Sequence, residues 1–599
     1  MSINNIYYVD MEKRFNDFQS GIIDMRVIHP MVYDENNVAL AVRQLNQSSG
    51  KMTLGPDGTN YKTLEDYSVI ELASIVKDRL FSKTMDYVRR TYIPKGSKKD
   101  GKKRPLGICS IWDKLVEKCI QLVIEPYCET KFVPSSFGFR PRVGTHNALA
   151  KVKNQCQTMP YVLSIDLQDY FGTIDPNVTY RELWHIGVRD QVILNYIYRF
   201  IKKGYYEDSC KVENPLGSPQ GSILGPLISN VYLHRFDVWL RDQGDCWHDP
   251  DVTKFHTYNH KRQNLRRTNL KVGIHVRYAD DILVLCKDQN DAERFKYSIT
   301  KYLTKNMRLK ISEEKTKIYD LTCEKMKYLG YDFYASKQKT KNVKKKGKYM
   351  VANTLPEVKE DEITEKCKIL LRDIRKKPCF ETFHAWNDYV VGIHNYHRGM
   401  THFSEGFQKV GWRTKKLFYH TMEKSAKFTN EQSYKDSFLN GKYHTWGKKG
   451  FYCFNGFPII EVSWANWDKT LISGDKGIVA RKNPYSYGEK KHKPGVSMEA
   501  IGYLVNTSKY IKSSRLAMFR ISKYSSSKGV SYLSGEFVPV YEYHCHHIKP
   551  IEKGGTHDYD NLCVLSKMEH MILHSNNREQ LYKLYPKRKK WIKRLIDAL

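Results

Sequence analysis

The sequence predicts an α+β protein of several domains, and three observations carry that expectation. Apolar helical stretches alternate with short strand-like runs from about 60 to 335, the pattern of a layered domain. Residues 355–428 are helix-patterned, with basic residues on the non-apolar faces. The last segment, 541–599, holds a His/Cys cluster followed by a basic helix, KRKKWIKRLIDAL. At roughly 100–200 residues per domain, 599 residues leave room for about three to five such units.

Taken in order, residues 1–45 show helical periodicity without a motif, and Gly55, Pro56, Asp57 and Gly58 then mark a loop. Tyr161-Val-Leu-Ser-Ile-Asp-Leu167 is an apolar strand that carries Asp166 near its C-terminal end. Further on, Val272, Ile274, Val276 and Tyr278 alternate with Gly273, His275 and Arg277, the period of a half-buried strand. Ile282 to Leu285 form a second, fully apolar strand, so Asp280 and Asp281 fall at the tip of a hairpin. The basic run around 337–350 reads as a hinge or a nucleic-acid-facing loop. Residues 430–540 are aromatic, basic and without a period, and fit a DNA-binding segment or a structural linker.

Lys and Arg number 99 against 65 Asp and Glu, a net charge of +34 that calls for a polyanionic partner to offset self-repulsion. With 41% hydrophobic and 13% aromatic residues the chain is too apolar for a disordered basic tail. The N-terminus shows no apolar signal region and no run of about 18 apolar residues occurs, which argues against secretion and membrane spanning. Thirteen scattered cysteines without a CxxC pair read as reduced thiols. A folded nucleic-acid protein remains.

An isolated Asp-Asp turn is ordinarily just solvated. Here the flanking strands are of the buried type, and Asp166 sits in a similar strand, where a lone carboxylate is costly unless paired or metal-bound. Three carboxylates on two adjacent strands repel one another unless cations lie between them. Oxygen-only ligands favour Mg²⁺ over Zn²⁺, and a pair of Mg²⁺ ions suits activation of a primer 3′-hydroxyl and retention of a triphosphate. The residues alone thus reach nucleotidyl transfer.

Tyr278-Ala-Asp-Asp281 resembles the Y-x-D-D box of reverse transcriptases, and Asp166-Leu-Gln-Asp-Tyr-Phe171 resembles their first catalytic strand. Gly217-Ser-Pro-Gln-Gly221 is similar to a block of group II intron-encoded reverse transcriptases. Arg104-Pro-Leu-Gly-Ile108 and Ser136-Phe-Gly-Phe-Arg-Pro141 resemble that family's finger motifs, and Leu309–Lys317 and Tyr328-Leu-Gly-Tyr331 its last palm blocks. The resemblance implies a right-hand polymerase of fingers and palm, with an antiparallel sheet backed by helices, and a helical thumb. It implies that Asp166, Asp280 and Asp281 bind two Mg²⁺. Lys95 and Arg104 would contact the incoming dNTP, or else the RNA backbone. Gln220 and Gly221 would bring backbone to the nascent pair, or serve as a turn alone. Phe171 would lie under the ribose and disfavour a 2′-hydroxyl, act as a core aromatic, or both.

In the tail, His570 and His574 are four apart on a helix and can chelate one ion, while a strand offers His546 and His547 before the Gly554-Gly555 turn. This set resembles an HNH endonuclease with a ββα-metal fold; a structural zinc knuckle is the alternative, and His544 and Cys545 keep the ligand set open. The resemblance implies that His546, His570 and His574 hold one divalent ion, Mg²⁺ or similar. It makes His547 the general base, and has Asn561 orient His547 and hold the loop.

The expected function is a group II intron-encoded reverse transcriptase, splicing maturase and HNH endonuclease acting in retrohoming; a domesticated reverse transcriptase or a splicing-only maturase is the alternative. Expected partners are intron RNA, target DNA and dNTPs, with a second copy of the chain as a further candidate and no membrane. The expected location is the bacterial cytoplasm, on the nucleoid when DNA-bound. Expected domains are fingers and palm at 1–335 (with an N-terminal extension, 1–49), thumb or domain X at 336–430, a DNA-binding region at 431–535 and HNH at 536–599.

Overall fold

A four-stranded sheet organises the segment that carries the paired aspartates. Its strands are β3 (Tyr161–Ile165), β6 (Ile274–Tyr278), β7 (Asp281–Cys286) and β8 (Lys317–Asp320), in the order β6-β7-β3-β8. The structure is a computed structural model and describes residues 9–94, 103–141, 143–208, 210–213, 216–217, 221–243, 269, 272–337, 349–401, 403–430, 450–464, 496–508 and 511–599. The chain divides into two units: Met1–Phe132, Asp169–Arg235 and Asn483–Leu599 form one, Val133–Gln168 and Phe236–Lys482 the other.

In the second unit, β6 and β7 form the expected hairpin, with Val276 opposite Leu283 and Tyr278 opposite Asp281. Central β7 is flanked by β6 and by antiparallel β3, where Val162 faces Leu285 and Ile165 faces Ile282. A strand covered on both sides needs an unbroken apolar run, and Ile282, Leu283, Val284 and Leu285 are all buried. Two smaller sheets follow: β9 (Met326–Tyr328) with β10 (Tyr331–Lys337) and β11 (Tyr349–Thr354), and β12 (Lys427–Thr429) with β13 (Phe451–Phe454) and β14 (Phe457–Pro458).

The helix-patterned segment forms helices Glu357–Lys376, Phe380–His397 and Phe403–Ser425. Their apolar faces join one core with the strands through Phe383, Trp386, Val390, Phe407 and Val410. Polar anchors fix residues 458–462 on the middle helix: Trp386 Nε1 donates to the Ile460 carbonyl at 2.8 Å, and Asn387 Nδ2 to that of Pro458 at 2.8 Å.

In the first unit, β1 (Val88–Pro94), β2 (Lys103–Ile108), β4 (Tyr205–Glu207) and β5 (Cys210–Val212) make a sheet in the order β2-β1-β4-β5. Helix Ile111–Lys131 is buried along most of its length, and the N-terminal periodicity resolves into helices Met11–Gln19, His29–Val32 and Glu35–Asn46. The C-terminal segment has its own apolar core of Leu533, Cys563, Leu565, Leu573, Leu581, Ile592 and Leu595. There β15 (Tyr543–His547) pairs antiparallel with β16 (Leu562–Ser566), and helix Lys567–His574 follows directly. No helix among the described residues is long and apolar enough to cross a membrane.

Candidate active sites

The carboxylates stand where strands end. β3 stops at Ile165, and Asp166 follows with its carbonyl accepting from Ser312 N at 2.8 Å. β7 starts at Asp281, after a turn in which Ala279 takes a left-handed φ of 57°. That turn is braced from below. Arg277, fully buried, donates from Nη1 to the Ala279 carbonyl at 2.9 Å. Its Nε and Nη2 reach the carboxylate of buried Asp237 at 2.8 and 2.6 Å.

The Ser136–Pro141 block lies beside the same hairpin. Phe137 N donates to the Arg277 carbonyl and Arg277 N to that of Ser135, both at 2.9 Å. A Cβ on Gly138 would come within 2.3 Å of Ala279 N, so only glycine lets the two backbones approach this closely.

Desolvation, then the charges of Asp280 and Asp166, push the Asp281 carboxyl up to about 6. Lys315 places Nζ 3.0 Å from Asp166 Oδ2. Crowded carboxylates that hold protons or borrow an ammonium are the donor set that a hard divalent cation fits.

The other expected polymerase residues belong to the first unit. Arg104 is exposed on β2, opposite Ile93. Phe171 is half-buried, its ring edge-on to Tyr170 at 5.3 Å between centroids. Gly221 has a φ of 101°, and a Cβ there would meet Leu106 Cδ1 at 2.6 Å. Just beyond it, Ile223 N donates to Glu117 Oε2 at 2.8 Å, tying this loop to helix Ile111–Lys131. Lys95 and Gln220 lie outside the described residues.

In the tail, β15 and helix Lys567–His574 bring one ring nitrogen each of His546, His570 and His574 within 4.8 Å of one another. Burial first, then the neighbouring imidazoles, push His546 down to about 3, so the ring is neutral and keeps a lone pair. His546 Nε2 is buried with no hydrogen-bond partner among the described residues, as expected of a nitrogen meant for a metal. His544 stacks on His570 at 3.7 Å between centroids and stays outside the trio.

Asn561 is bonded within the loop that follows β15. It holds the loop, with Nδ2 donating to the Lys549 and Thr556 carbonyls at 2.9 and 2.8 Å and Oδ1 accepting from Lys549 N at 2.9 Å. Nε2 of His547 meets Nδ1 of His557 at 2.9 Å. Sequence reasoning passed over His557, Arg277, Asp237 and Lys315. A histidine two residues after Gly555 was the only local signal for the first, and the others depend on partners far along the chain.

Two families match segments of the chain. The reverse transcriptase (RNA-dependent DNA polymerase) family matches residues 93–333, and the HNH endonuclease family residues 534–567. The chain is 30% identical over 299 residues to the group II intron-encoded protein LtrA of Lactococcus lactis subsp. cremoris, covering 44% of this chain and 49% of that protein. It is 27% identical over 360 residues to protein YkfC of Escherichia coli (strain K12), covering 56% of this chain and 89% of YkfC. A 91 kDa protein in the cob intron of Schizosaccharomyces pombe is 26% identical over 366 residues, covering 55% of this chain and 44% of that protein. The chain thus spans about half the length of LtrA. It carries a reverse transcriptase match followed by an HNH endonuclease match, and is similar to a group II intron-encoded protein.

Proposed function

We propose that this protein is an RNA-directed DNA polymerase, a maturase for its own intron RNA and a site-specific HNH endonuclease, combined for target-primed reverse transcription. The observation that carries the reading is the presence in one chain of a carboxylate cluster at strand ends and a histidine trio beside a candidate base. One site extends a DNA 3′ end; the other creates it. The partners would be intron RNA, target DNA and dNTPs, consistent with a net charge of +34, and binding should then fall steeply with salt.

In this reading Asp166, Asp280 and Asp281 hold two Mg²⁺, which supply a more acidic primer 3′-hydroxyl and neutralise triphosphate charge. Arg277 fixes the turn that presents Asp280 and Asp281. Lys315 balances Asp166 until a cation takes its place. Lys95, Arg104, Gln220 and Gly221 would bind the dNTP, and Phe171 would exclude a ribose 2′-hydroxyl.

His546, His570 and His574 would hold one divalent ion, which stabilises the leaving oxyanion. Three imidazole ligands suit Zn²⁺ or a similar transition ion better than Mg²⁺. His547 would take the proton of the attacking water. The architecture proposed is a right hand over 1–335, a thumb at 336–430, a DNA-binding region at 431–535 and a ββα-metal domain at 536–599, in a bacterial cytoplasm.

Splicing of the transcript around this reading frame, at low Mg²⁺ with and without the protein, tests the maturase role. Protein-dependent splicing supports it. An RNA that ignores the protein while primers are extended removes the intron reading and leaves a polymerase alone.

A further inference from the structure

The loop between β15 and β16 must return the chain from His547 to Leu562, which face each other across the hairpin. Asn561 closes that loop onto Lys549 and Thr556. Gly555 permits the closure, because a Cβ there would come within 2.0 Å of the Lys549 carbonyl oxygen. His557 is therefore carried back to the end of β15. Its other flank is fixed too: Asp558 pairs with Arg515, which also pairs with Glu65. Both rings are half-buried and His547 Nε2 lies 2.9 Å from His557 Nδ1.

Only one hydrogen fits between two ring nitrogens at that distance, so the contact selects a tautomer of both rings. With the hydrogen on His547 Nε2, Nδ1 of His547 is bare and can take a proton. With the hydrogen on His557, Nδ1 of His547 carries its own hydrogen and cannot. Of the two arrangements of the 2.9 Å contact, only the first leaves His547 able to serve as a base. In that arrangement Nδ1 of His557 is the acceptor.

We propose that His557 is a positioning residue for the endonuclease: it accepts the Nε2 hydrogen of His547 and so fixes the ring with Nδ1 free toward water. This rests on the HNH reading of the tail. A water proton then passes to His547 Nδ1, and His557 Nδ1 keeps its bond to the Nε2 hydrogen of the cation formed.

The test uses the full-length protein assembled with its surrounding intron RNA and a duplex spanning the joined flanking exons, labelled on the bottom strand. His557→Leu should lower the nicking kcat by about 10–100-fold with KM for the duplex unchanged. His557→Asn, whose Oδ1 stands where Nδ1 stood, should restore most of that rate. Wild-type rates in His557→Leu, with His547→Ala inactive, would overturn the proposal and leave the HNH reading intact. An Asn variant as slow as the Leu variant would reduce His557 to a loop support and overturn it as well. A wild-type protein that cuts nothing overturns both.

Discussion

The ammonium of Lys315 lies 3.0 Å from Oδ2 of Asp166, one of the three carboxylates assigned to the polymerase metals. Lys315 is well exposed, so the pair is weak and exchangeable. A lysine in that place competes with a divalent cation. Lys315→Ala should lower the Mg²⁺ concentration for half-maximal primer extension by about 2–5-fold, the range of an exposed pair worth under ~1 kcal/mol. A Mg²⁺ titration checks this; a higher requirement would mean that Lys315 helps to bind the nucleotide instead.

Arg277 and Asp237 form a charge pair that is buried on both sides. Removing one partner strands the other without water. Arg277→Met should cost about 3–5 kcal/mol of stability, and the double variant Arg277→Met/Asp237→Leu should recover a large part of it. Denaturant unfolding of the three proteins measures the coupling. Even where the double variant folds, polymerase activity should stay low, because the Ala279 carbonyl has lost its donor.

Asp281 keeps its proton up to about 6 in the folded, metal-free chain, whereas an unfolded aspartate releases it near ~3.9. The folded state therefore binds more protons between those values. Stability from this group is full below the unfolded value and is lost as pH rises through about 6. Asp281→Asn carries no charge to crowd Asp280 and Asp166. In EDTA it should melt above wild type near pH 7.5, with the gap closing near pH 4.5, and Mg²⁺ should narrow it at the higher pH. An equal offset at both pH values would contradict the carboxylate cluster.

The histidine trio should take up one transition ion per chain, read by Co²⁺ absorption or Zn²⁺ dialysis. His570→Ala should weaken that ion by at least about 100-fold, since even outer partners of such ligands are worth 10–100-fold. Primer extension with Mg²⁺ should be unaffected. Undiminished Co²⁺ uptake would assign the ion elsewhere.

Legibility followed the range of the interactions. The β6–β7 hairpin was readable because alternation in Val272–Tyr278 and the unbroken run Ile282–Leu285 are local signals, and they put Asp280 in the turn and Asp281 at the first position of β7, one residue earlier than the apolar run alone marks. His570 and His574 were readable from helix spacing alone. The brace under the hairpin was not, because Arg277 and Asp237 are 40 residues apart and nothing local pairs them. The contact of His547 with His557 was not legible either, because which side chain meets a ring nitrogen depends on how a closed loop returns. The helices at 498–508 and 514–526 sit in a segment without period, where no pattern announced them.

The central claim is that two active sites in one chain serve one reaction, and the direct measurement is target-primed cDNA synthesis by the assembled protein and intron RNA on an end-labelled exon-junction duplex. The account predicts cDNA joined covalently to the nicked bottom strand. Asp280→Ala should give the nick without cDNA, and His547→Ala should give neither, while still extending a supplied primer. A wild-type protein that extends supplied primers but never joins cDNA to its target strand would contradict it.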